Sequence, residues 1–352
     1  MIAAGADVNY AYEVGGVTAL YVATSLGHLA VVERLIAAGA DVDKALASDG
    51  TTPLNVAAEN GHMAVVERLI AAGGDVDKAS TSEGITPMYI AAQNRHMAVV
   101  RRLIAAGGDV DKARTTNGAT PFFVASQNGH LDVVEQLIAA GVDVDKALAS
   151  DGTTPLHVAT DNGHLAVVEQ LIAAGGDVDK ASTSVGTTPM YIAAQNGRLD
   201  VVERLIAAGG DVDKARTSDG ATPLHIAVQN ENADVVEQLI AAGVDVDKAN
   251  YDGAMPLHIA IQNGNMDVVE WLIAAGADVD KASTSVGTTP LHIAAHNGHL
   301  DIVERLIATL GVDVNKTCSC WFGTTPLSVA LARGHADVAQ KLRAAGATEP
   351  HW

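Results

Sequence analysis

The sequence predicts an all-α fold, a solenoid of stacked pairs of short helices, and three observations lead to this prediction. The phrase TPLNVAAENGHMAVVERLIAAGGDVDK, which begins at Thr52, returns with small changes along nearly the whole chain. Self-similarity at a fixed period is the sequence signature of a repeat architecture. Each copy has room for only two helices, and isolated helices shorter than about 12–15 residues are marginal in water. Neighbouring copies must therefore cover each other's apolar faces by stacking.

The elements of one copy follow from its capping and breaking residues. A first helix is predicted over residues 53–60, because Thr52 can cap it and the proline that follows needs no hydrogen-bond acceptor. Gly61 ends this helix, and a second helix is predicted over residues 63–72, where the apolar side chains share one face. Residues 75–84 are rich in Gly, Ser, Thr and Asp and lack a helical period, which predicts a loop or hairpin.

Ten such units follow one another, and Met255 takes the place of the opening threonine in the eighth. The units begin near residues 18, 52, 86, 120, 154, 188, 222, 255, 289 and 325. Residues 1–17 form a partial first unit, residues 325–346 are interpreted as a C-terminal cap, and residues 1–352 are predicted to be one elongated domain. Residue 1 is either a true start or a position within a longer protein. The second alternative is favoured because no polar outer cap precedes the first unit.

The recurring signature resembles the ankyrin repeat. It reads T-P-L-H-x-A-A, then N-G-H, then V-V-x-x-L-I-x-x-G-A-D-V-N, and it recurs in register ten times over essentially the whole chain. The resemblance implies an ankyrin-repeat solenoid of helix–turn–helix units joined by β-hairpin-like loops. It also implies a concave binding surface made by the hairpins and first helices. The histidines of the T-P-L-H and G-H positions would be structural and would bond to the backbone of neighbouring loops.

The motifs give no basis for catalysis, a cofactor or a metal. No G-x-S-x-G, P-loop or dinucleotide fingerprint occurs. His292 and His296 have a spacing that can bind a metal, but no third ligand is evident. Cys318 and Cys320 lack the second pair that structural zinc requires, and two cysteines in a long chain favour a reducing compartment over a disulfide scaffold. We therefore expect a protein that is not an enzyme.

The charge of the chain restricts its partners. Lys and Arg number 22 against 42 Asp and Glu, a net charge of −20. This charge argues against nucleic acid and against anionic membranes. No apolar run reaches the roughly 18 residues of a membrane span, and no secretory signal is visible. We expect a cytoplasmic monomer, with the nucleus left open. The repeated aspartate pairs of D-V-D serve either solubility or the steering of a basic partner.

Residues that vary between copies mark the candidate recognition surface. They lie in the hairpin before each T-P and at the end of each first helix. The candidates at these positions are Asp49, Glu59, Glu83, Gln93, Asn117, Gln127, Asp151, Asp161, Gln195, Asp219 and Gln229. We interpret the chain as a scaffold or adaptor that binds another protein there. The alternatives are the repeat arm of a larger enzyme or effector, with a catalytic domain upstream of residue 1, and a passive spacer.

Aromatic residues extend this candidate surface. Tyr89, Phe123 and Tyr191 replace the T-P-L-H histidine, and they are either aromatic anchors for a partner or simple packing. The last hairpin is longer than the others and carries Trp321 and Phe322 at its tip. These two are predicted to form a local contact with a partner or with a second copy of the chain. The alternative is that the longer hairpin is only an insertion that makes no such contact.

One joint of the array is predicted to be weak. Glu231 and Asn232 replace the usual G-H, and a non-glycine residue in a left-handed conformation costs about 1–2 kcal/mol. Met255 lacks the hydroxyl that caps a helix, which costs about 1 kcal/mol. Because repeat stability is carried by nearest neighbours, these defects are expected to add within residues 222–267.

Overall fold

The computed structural model describes residues 7–12, 15–319 and 324–348 of the chain. Within these ranges the chain forms twenty helices and one isolated antiparallel bridge between Ala11 and Thr18. The all-α prediction is confirmed. Contacts divide the chain into two compact units. The N-unit comprises Met1–Asp177 with Ser182–Ser184, and the C-unit comprises Val178–Ala181 with Val185–Trp352.

Each repeat contributes a first helix and a second helix to its unit. The N-unit contains α1 (Ala19–Ser25), α2 (Leu29–Ala37), α3 (Pro53–Glu59), α4 (Met63–Ala71), α5 (Pro87–Gln93), α6 (Met97–Ala105), α7 (Pro121–Gln127), α8 (Leu131–Ala139), α9 (Pro155–Asp161) and α10 (Leu165–Ala173). The C-unit contains α11 (Pro189–Gln195), α12 (Leu199–Ala207), α13 (Pro223–Gln229), α14 (Ala233–Ala241), α15 (Pro256–Asn263), α16 (Met266–Ala274), α17 (Pro290–Asn297), α18 (Leu300–Ile307), α19 (Pro326–Arg333) and α20 (Ala336–Ala344).

Threonine and glycine fix the ends of the first helices. The Thr52 hydroxyl accepts a hydrogen bond from the Asn55 N–H at 3.2 Å, which satisfies one of the unpaired donors at the start of α3. Gly61, just after this helix, has a φ of 69°, a left-handed conformation that glycine adopts without strain. A side chain there would also collide with the next repeat, because an added Cβ would lie 2.7 Å from His96 Nδ1.

Within each unit, first helices pack on first helices and second helices on second helices. In α3 the side chains of Leu54, Ala57 and Ala58 are fully buried, and the alanines let neighbouring helices approach closely. In α4 the buried residues are Val65, Val66 and Leu69, the apolar face that the periodicity predicts. The core of each unit is therefore a thin layer between two rows of short helices.

The aspartates of D-V-D connect successive repeats. The first aspartate organises its own loop, since Asp41 Oδ1 accepts from the Asp43 N–H at 3.0 Å. The second accepts from the following repeat, since Asp43 Oδ1 accepts from the Asp75 N–H at 3.0 Å. The same bond joins Asp77 to the Asp109 N–H at 2.9 Å. Solubility and the steering of a partner are the two roles predicted for these carboxylates, and the structure adds the connection of repeats.

The joint at residues 222–267 has the predicted irregularity and a compensation that was not predicted. Glu231 is left-handed, with a φ of 58°. Asn232, however, takes over the bond of the missing histidine, because its Nδ2 donates to the Gln195 carbonyl at 3.2 Å, and it also donates to the Ala194 carbonyl at 2.8 Å. The Met255 side chain makes no capping bond, while its N–H donates to His258 Nδ1 at 3.2 Å. The weakness of this joint stays a prediction.

Candidate protein-binding grooves

The variable residues of the predicted surface reach solvent to different degrees. Those that are exposed are Glu59, Glu83, Asn117, Gln127, Asp161, Gln195 and Gln229. Those that are half-buried are Asp49, Gln93, Asp151 and Asp219. In the N-unit most of these residues line two grooves between loops and first helices.

The first of these, the acidic groove, lies over the early repeats of the N-unit and has a volume of about 250 Å³. Its lining residues are Tyr21, Asp49, Thr51, Asn55, Glu59, Ser80, Ser82, Glu83, Ile85 and Ile90. Three are carboxylates and none is Lys or Arg. The pKa of Tyr21 is raised, first by burial and then by the negative charges of Asp49 and Glu59. The groove therefore presents a negative potential beside apolar isoleucine surface.

The second, the amide groove, lies over the next repeats of the N-unit and has a volume of about 550 Å³. Its lining residues are Tyr89, Gln93, Arg114, Asn117, Ala119, Phe123, Val124, Gln127, Asn128, Leu148, Asp151, Thr153, Val158 and Asn162. Six of them belong to the predicted surface, and five carry primary amides. The structure thus brings residues from successive hairpins and first helices together in one cleft.

The three predicted aromatic residues are buried. Tyr89 and Phe123 are each 4% exposed and Tyr191 is 1% exposed. Their backbone N–H groups donate to the capping threonines, as at Tyr89, whose N–H donates to Thr86 Oγ1 at 3.1 Å. This burial favours the packing alternative over the anchor alternative. Sequence position alone could not separate the two, because the covering side chain comes from the next hairpin.

In the N-unit that covering side chain is Arg114. Its guanidinium carbon lies 5.4 Å from the centre of the Tyr89 ring, and its Nη1 donates to the Tyr89 hydroxyl at 3.4 Å. The same guanidinium forms an ion pair with Glu83. One predicted carboxylate of the acidic groove is therefore already neutralised within the protein.

The C-unit repeats this arrangement with a different carboxylate. Arg216 lies over the Tyr191 ring, 4.8 Å from its centre, and forms an ion pair with Asp219 of its own hairpin. Hydrogen bonds from Arg216 hold the pKa of Asp219 below its ordinary value. Neither arginine is among the residues predicted from the sequence. The signal for them was available, since the hairpins RTTNG and RTSDG each follow a repeat that begins T-P-M-Y.

Histidines at the T-P-L-H position cap helices and connect repeats. In the C-unit, His225 Nδ1 accepts from the Thr222 N–H at 3.2 Å and from its hydroxyl at 2.7 Å. Nε2 therefore carries the proton, and it donates to the Ala254 carbonyl at 3.1 Å. His258 is buried in the same way, and burial lowers its pKa to about 4. These contacts agree with the structural role that the resemblance implies.

Histidines at the G-H position are structural as well. His96 Nε2 donates to the Glu59 carbonyl at 2.9 Å, and His130 Nε2 donates to the Gln93 carbonyl at 3.0 Å. Each imidazole thus binds the last carbonyl of the preceding first helix, which has no partner within that helix. The asparagine two residues before such a histidine makes a similar bond, as where Asn94 Nδ2 donates to the Glu59 carbonyl at 2.9 Å.

The His292–His296 pair lines a smaller cavity of about 230 Å³ in the C-unit. His292 Nε2 donates to the Thr324 carbonyl at 3.0 Å, so this nitrogen is engaged in connecting repeats. The pKa of His296 is lowered, first by burial and then by the positive charges of Arg333 and His335. Among the described residues, no group of three or more His, Cys, Asp or Glu side chains is placed to hold a metal ion.

The last hairpin differs from what its cysteines suggested. Cys318 is buried and disulfide-bonded, whereas the sequence analysis favoured cysteines outside a disulfide scaffold. A count of two cysteines in a long chain argues against a scaffold of several disulfides, but it does not exclude a single bond. The predicted contact residues Trp321 and Phe322, together with Cys320, lie outside the described residues.

No helix in the described ranges is long and apolar enough to span a bilayer. This agrees with the short helices that the repeat phrase predicts.

Comparisons with known proteins agree with the architecture. A family model described as "Ankyrin repeats (3 copies)" matches residues 1–80, 54–147, 123–217, 191–283 and 257–349. Among solved structures, the crystal structure of the human ASB11 ankyrin repeat domain is similar, with a TM-score of 0.56 and 25% sequence identity. That match covers 64% of this chain and 98% of the other. No curated protein matches the chain.

Ankyrin repeats are in general modules for protein–protein interaction. The repeat phrase, the paired short helices and the family matches from residue 1 to residue 349 agree with one another, and the chain belongs to the ankyrin repeat family.

Proposed function

We propose that this chain is a non-enzymatic scaffold or adaptor that binds another protein through its hairpin tips and first helices. One observation carries the proposal: six variable residues from successive repeats line the single amide groove of about 550 Å³. Clefts with convergent polar groups are the preferred places for ligands. The second helices, by contrast, present exposed charged side chains such as Glu67 and Glu135.

A basic segment of the partner suits the acidic groove. Asp49 and Glu59 face it with no cation among the lining residues, while Glu83 is paired with Arg114. Opposite charges across an interface raise the association rate more than they raise the affinity. The chain's net charge of −20 adds a long-range attraction for such a partner and opposes self-association. A cytoplasmic monomer therefore remains our interpretation.

Charge reversal in the acidic groove tests this function. We expect Asp49→Lys with Glu59→Lys to slow association with the partner and to remove the salt dependence of the rate. Screening should weaken the wild-type attraction as the Debye length falls to about 8 Å near 0.15 M salt. The partner is first recovered by cross-linking at low salt, and association is then measured by stopped flow or surface plasmon resonance.

The matched control is Glu67→Lys with Glu135→Lys, two exposed carboxylates on second helices of the same unit. Glu59→Lys alone is also measured, because Asp49 Oδ1 accepts from the Thr51 N–H at 2.9 Å and its loss could disturb the hairpin. Equal losses from the groove pair and the control pair would reject the groove as the binding surface. A chain that recovers no partner at low salt would be a spacer.

A further inference from the structure

The amide groove contains side chains that can bind a peptide backbone. Gln93 and Gln127 are the last residues of α5 and α7, at equivalent positions of adjacent repeats. Neither side chain makes a hydrogen bond to another residue in the described part of the chain, and both line the cleft. A primary amide carries both donors and an acceptor, the same complement as a peptide bond. Each glutamine can therefore pair with both the N–H and the C=O of a bound backbone.

The asparagines of this groove are only partly engaged. Asn128 Nδ2 donates to the Gln93 carbonyl at 3.2 Å, and Asn162 Nδ2 donates to the Val158 carbonyl at 2.8 Å, so each has its Oδ1 left to accept. Asn117 uses its acceptor instead of its donors. Its Oδ1 accepts from the Ala119 N–H at 3.1 Å, and its amide hydrogens remain able to donate to a ligand. The groove thus offers donors and acceptors along its length.

The spacing of these amides matches an extended chain. Helices α5 and α7 pack directly on one another, and packed helices lie about 8–10 Å apart. In a β-strand the backbone groups of residues three apart point to opposite sides, whereas an extended polyproline II segment has three residues per turn and advances about 3.1 Å per residue. Residues three apart on one side of such a segment therefore cover the distance from one repeat to the next. Gln93 and Gln127 would then meet backbone groups three residues apart. A helical ligand, which advances about 1.5 Å per residue, keeps its backbone groups bonded internally and cannot use these amides.

We propose that the amide groove binds an extended peptide segment of the partner by its main chain, with one glutamine bonding every third residue. This inference rests on the proposed function and deepens it. The acidic groove adjoins at α5, which contributes Ile90 to one groove and Gln93 to the other. The same segment can therefore place a basic side chain in the acidic groove while its main chain lies along the amides.

The test uses a phage-displayed library of random peptides of about 12 residues, a length that spans about 40 Å when extended. The library is selected on the full chain, and the dissociation constant of a selected peptide is measured by fluorescence anisotropy. We expect Gln93→Ala with Gln127→Ala to weaken binding about 25-fold, because the loss of one net hydrogen bond at each glutamine is worth about a fivefold change. The control Gln170→Ala, on second helix α10 of the same unit, should change binding less than about twofold.

Two further measurements separate main-chain recognition from other modes. Gln93→Glu with Gln127→Glu keeps the size and the acceptors of both side chains but removes their donors, and it should also weaken binding. The peptide is then scanned twice, once with alanine and once with N-methylation of each backbone nitrogen. We expect N-methylation losses to recur at about every third residue.

The outcomes distinguish this inference from the function on which it rests. If the glutamine variants weaken binding but only the alanine scan of the peptide, and not its N-methylation scan, lowers the affinity, the groove recognises side chains of the peptide. That result overturns the inference and leaves the proposed function intact. If the glutamine variants bind as the wild type does and Glu135→Lys weakens binding instead, both are rejected. A library that yields no binder contradicts the inference as well.

Discussion

Arg114 and Arg216 stand 102 residues apart in two copies of one pattern, yet each reaches a carboxylate in a different hairpin. Arg114 pairs with Glu83 of the preceding hairpin, and Arg216 pairs with Asp219 of its own. Both arginines cover a tyrosine ring, so the two copies share the stacked arginine and differ in the position of its carboxylate partner. A planar guanidinium that is half-covered by a ring needs a hydrogen-bonded anion nearby, and either hairpin can supply one.

This exchange predicts a compensating pair of substitutions. In the copy that contains Arg216, Val185 occupies the position of Glu83, and Asp219 occupies the position of Asn117. We expect Glu83→Val to leave Arg114 without a carboxylate and to lower the free energy of unfolding by up to about 1 kcal/mol. Adding Asn117→Asp should restore most of this loss, as measured by urea denaturation. If Asn117→Asp stabilises the protein equally in the presence and in the absence of Glu83, positions 83 and 117 are not coupled.

Acid should destabilise the repeats whose capping histidine is buried. Burial lowers the pKa of His258 from 6.5 to about 4 and also lowers those of His225 and His292. The unfolded chain binds more protons than the folded chain below pH 6.5, so stability falls from pH 6.5 down to about 4. For His258 alone the full loss is on the order of 3 kcal/mol.

The chain contains its own control for this pH effect. Asn55 makes the contacts of His225 without a titratable group, because its Oδ1 accepts from the Thr52 N–H at 3.1 Å and its Nδ2 donates to the Ile85 carbonyl at 3.0 Å, the counterpart of the Ala254 carbonyl. We expect His225→Asn to cost little at pH 7.5 and to reduce the loss of stability below pH 6.5. Chemical denaturation of both proteins across this range measures it. Parallel pH curves would show that His225 is not a titrating group.

At the scale of single elements, the glycine after each first helix holds a left-handed conformation, with a φ of 69° at Gly61. Glu231 and Arg95 are the non-glycine residues that hold a positive φ in the described ranges, at 58° and 60°. Arg95 regains some free energy through an ion pair with Asp132 at 3.1 Å. No ion pair of Glu231 is found among the described residues. The strain of the left-handed conformation is therefore less compensated in that repeat.

We expect Glu231→Gly to stabilise the protein by about 1 kcal/mol, because it removes the steric cost of a side chain in the left-handed conformation. Arg95→Gly should gain less, since it also removes the pair with Asp132. Thermal unfolding gives the two values. Hydrogen exchange across residues 222–267 should slow in Glu231→Gly. Unchanged exchange there would mean that this joint is not the weak one.

The helices were predictable because their boundaries are set locally. The predicted ranges 53–60 and 63–72 agree with Pro53–Glu59 and Met63–Ala71 to one residue, since threonine, proline and glycine act within a single turn. The grooves were only partly predictable. Variation between copies located residues such as Gln93 and Gln127, but the burial of Tyr89 depends on a side chain from another repeat. Covering contacts of that kind become visible only when copies are compared, as where the hairpins RTTNG and RTSDG each follow a repeat that begins T-P-M-Y.

At the scale of the whole molecule, the charge of −20 has more than one use. Part of it lies in the acidic groove, where it can attract a basic segment. Another part lies in the D-V-D loops, where the carboxylates accept backbone hydrogen bonds from the following repeat, as Asp145 does from the Asp177 N–H at 3.0 Å. Composition alone cannot distinguish a carboxylate that joins repeats from one that faces a ligand.

The connection between repeats requires an oxygen acceptor and not a negative charge. Asn9 and Asn315 occupy the second position of this loop and make the same bond, with Asn9 Oδ1 accepting from the Asp41 N–H at 2.7 Å and Asn315 Oδ1 from the Thr348 N–H at 2.8 Å. Aspartate and asparagine are thus interchangeable as connectors while they differ by a full unit of charge. The electrostatic field of the protein can therefore change, loop by loop, without changing how its repeats are joined, so selection can act on the field and on the fold independently.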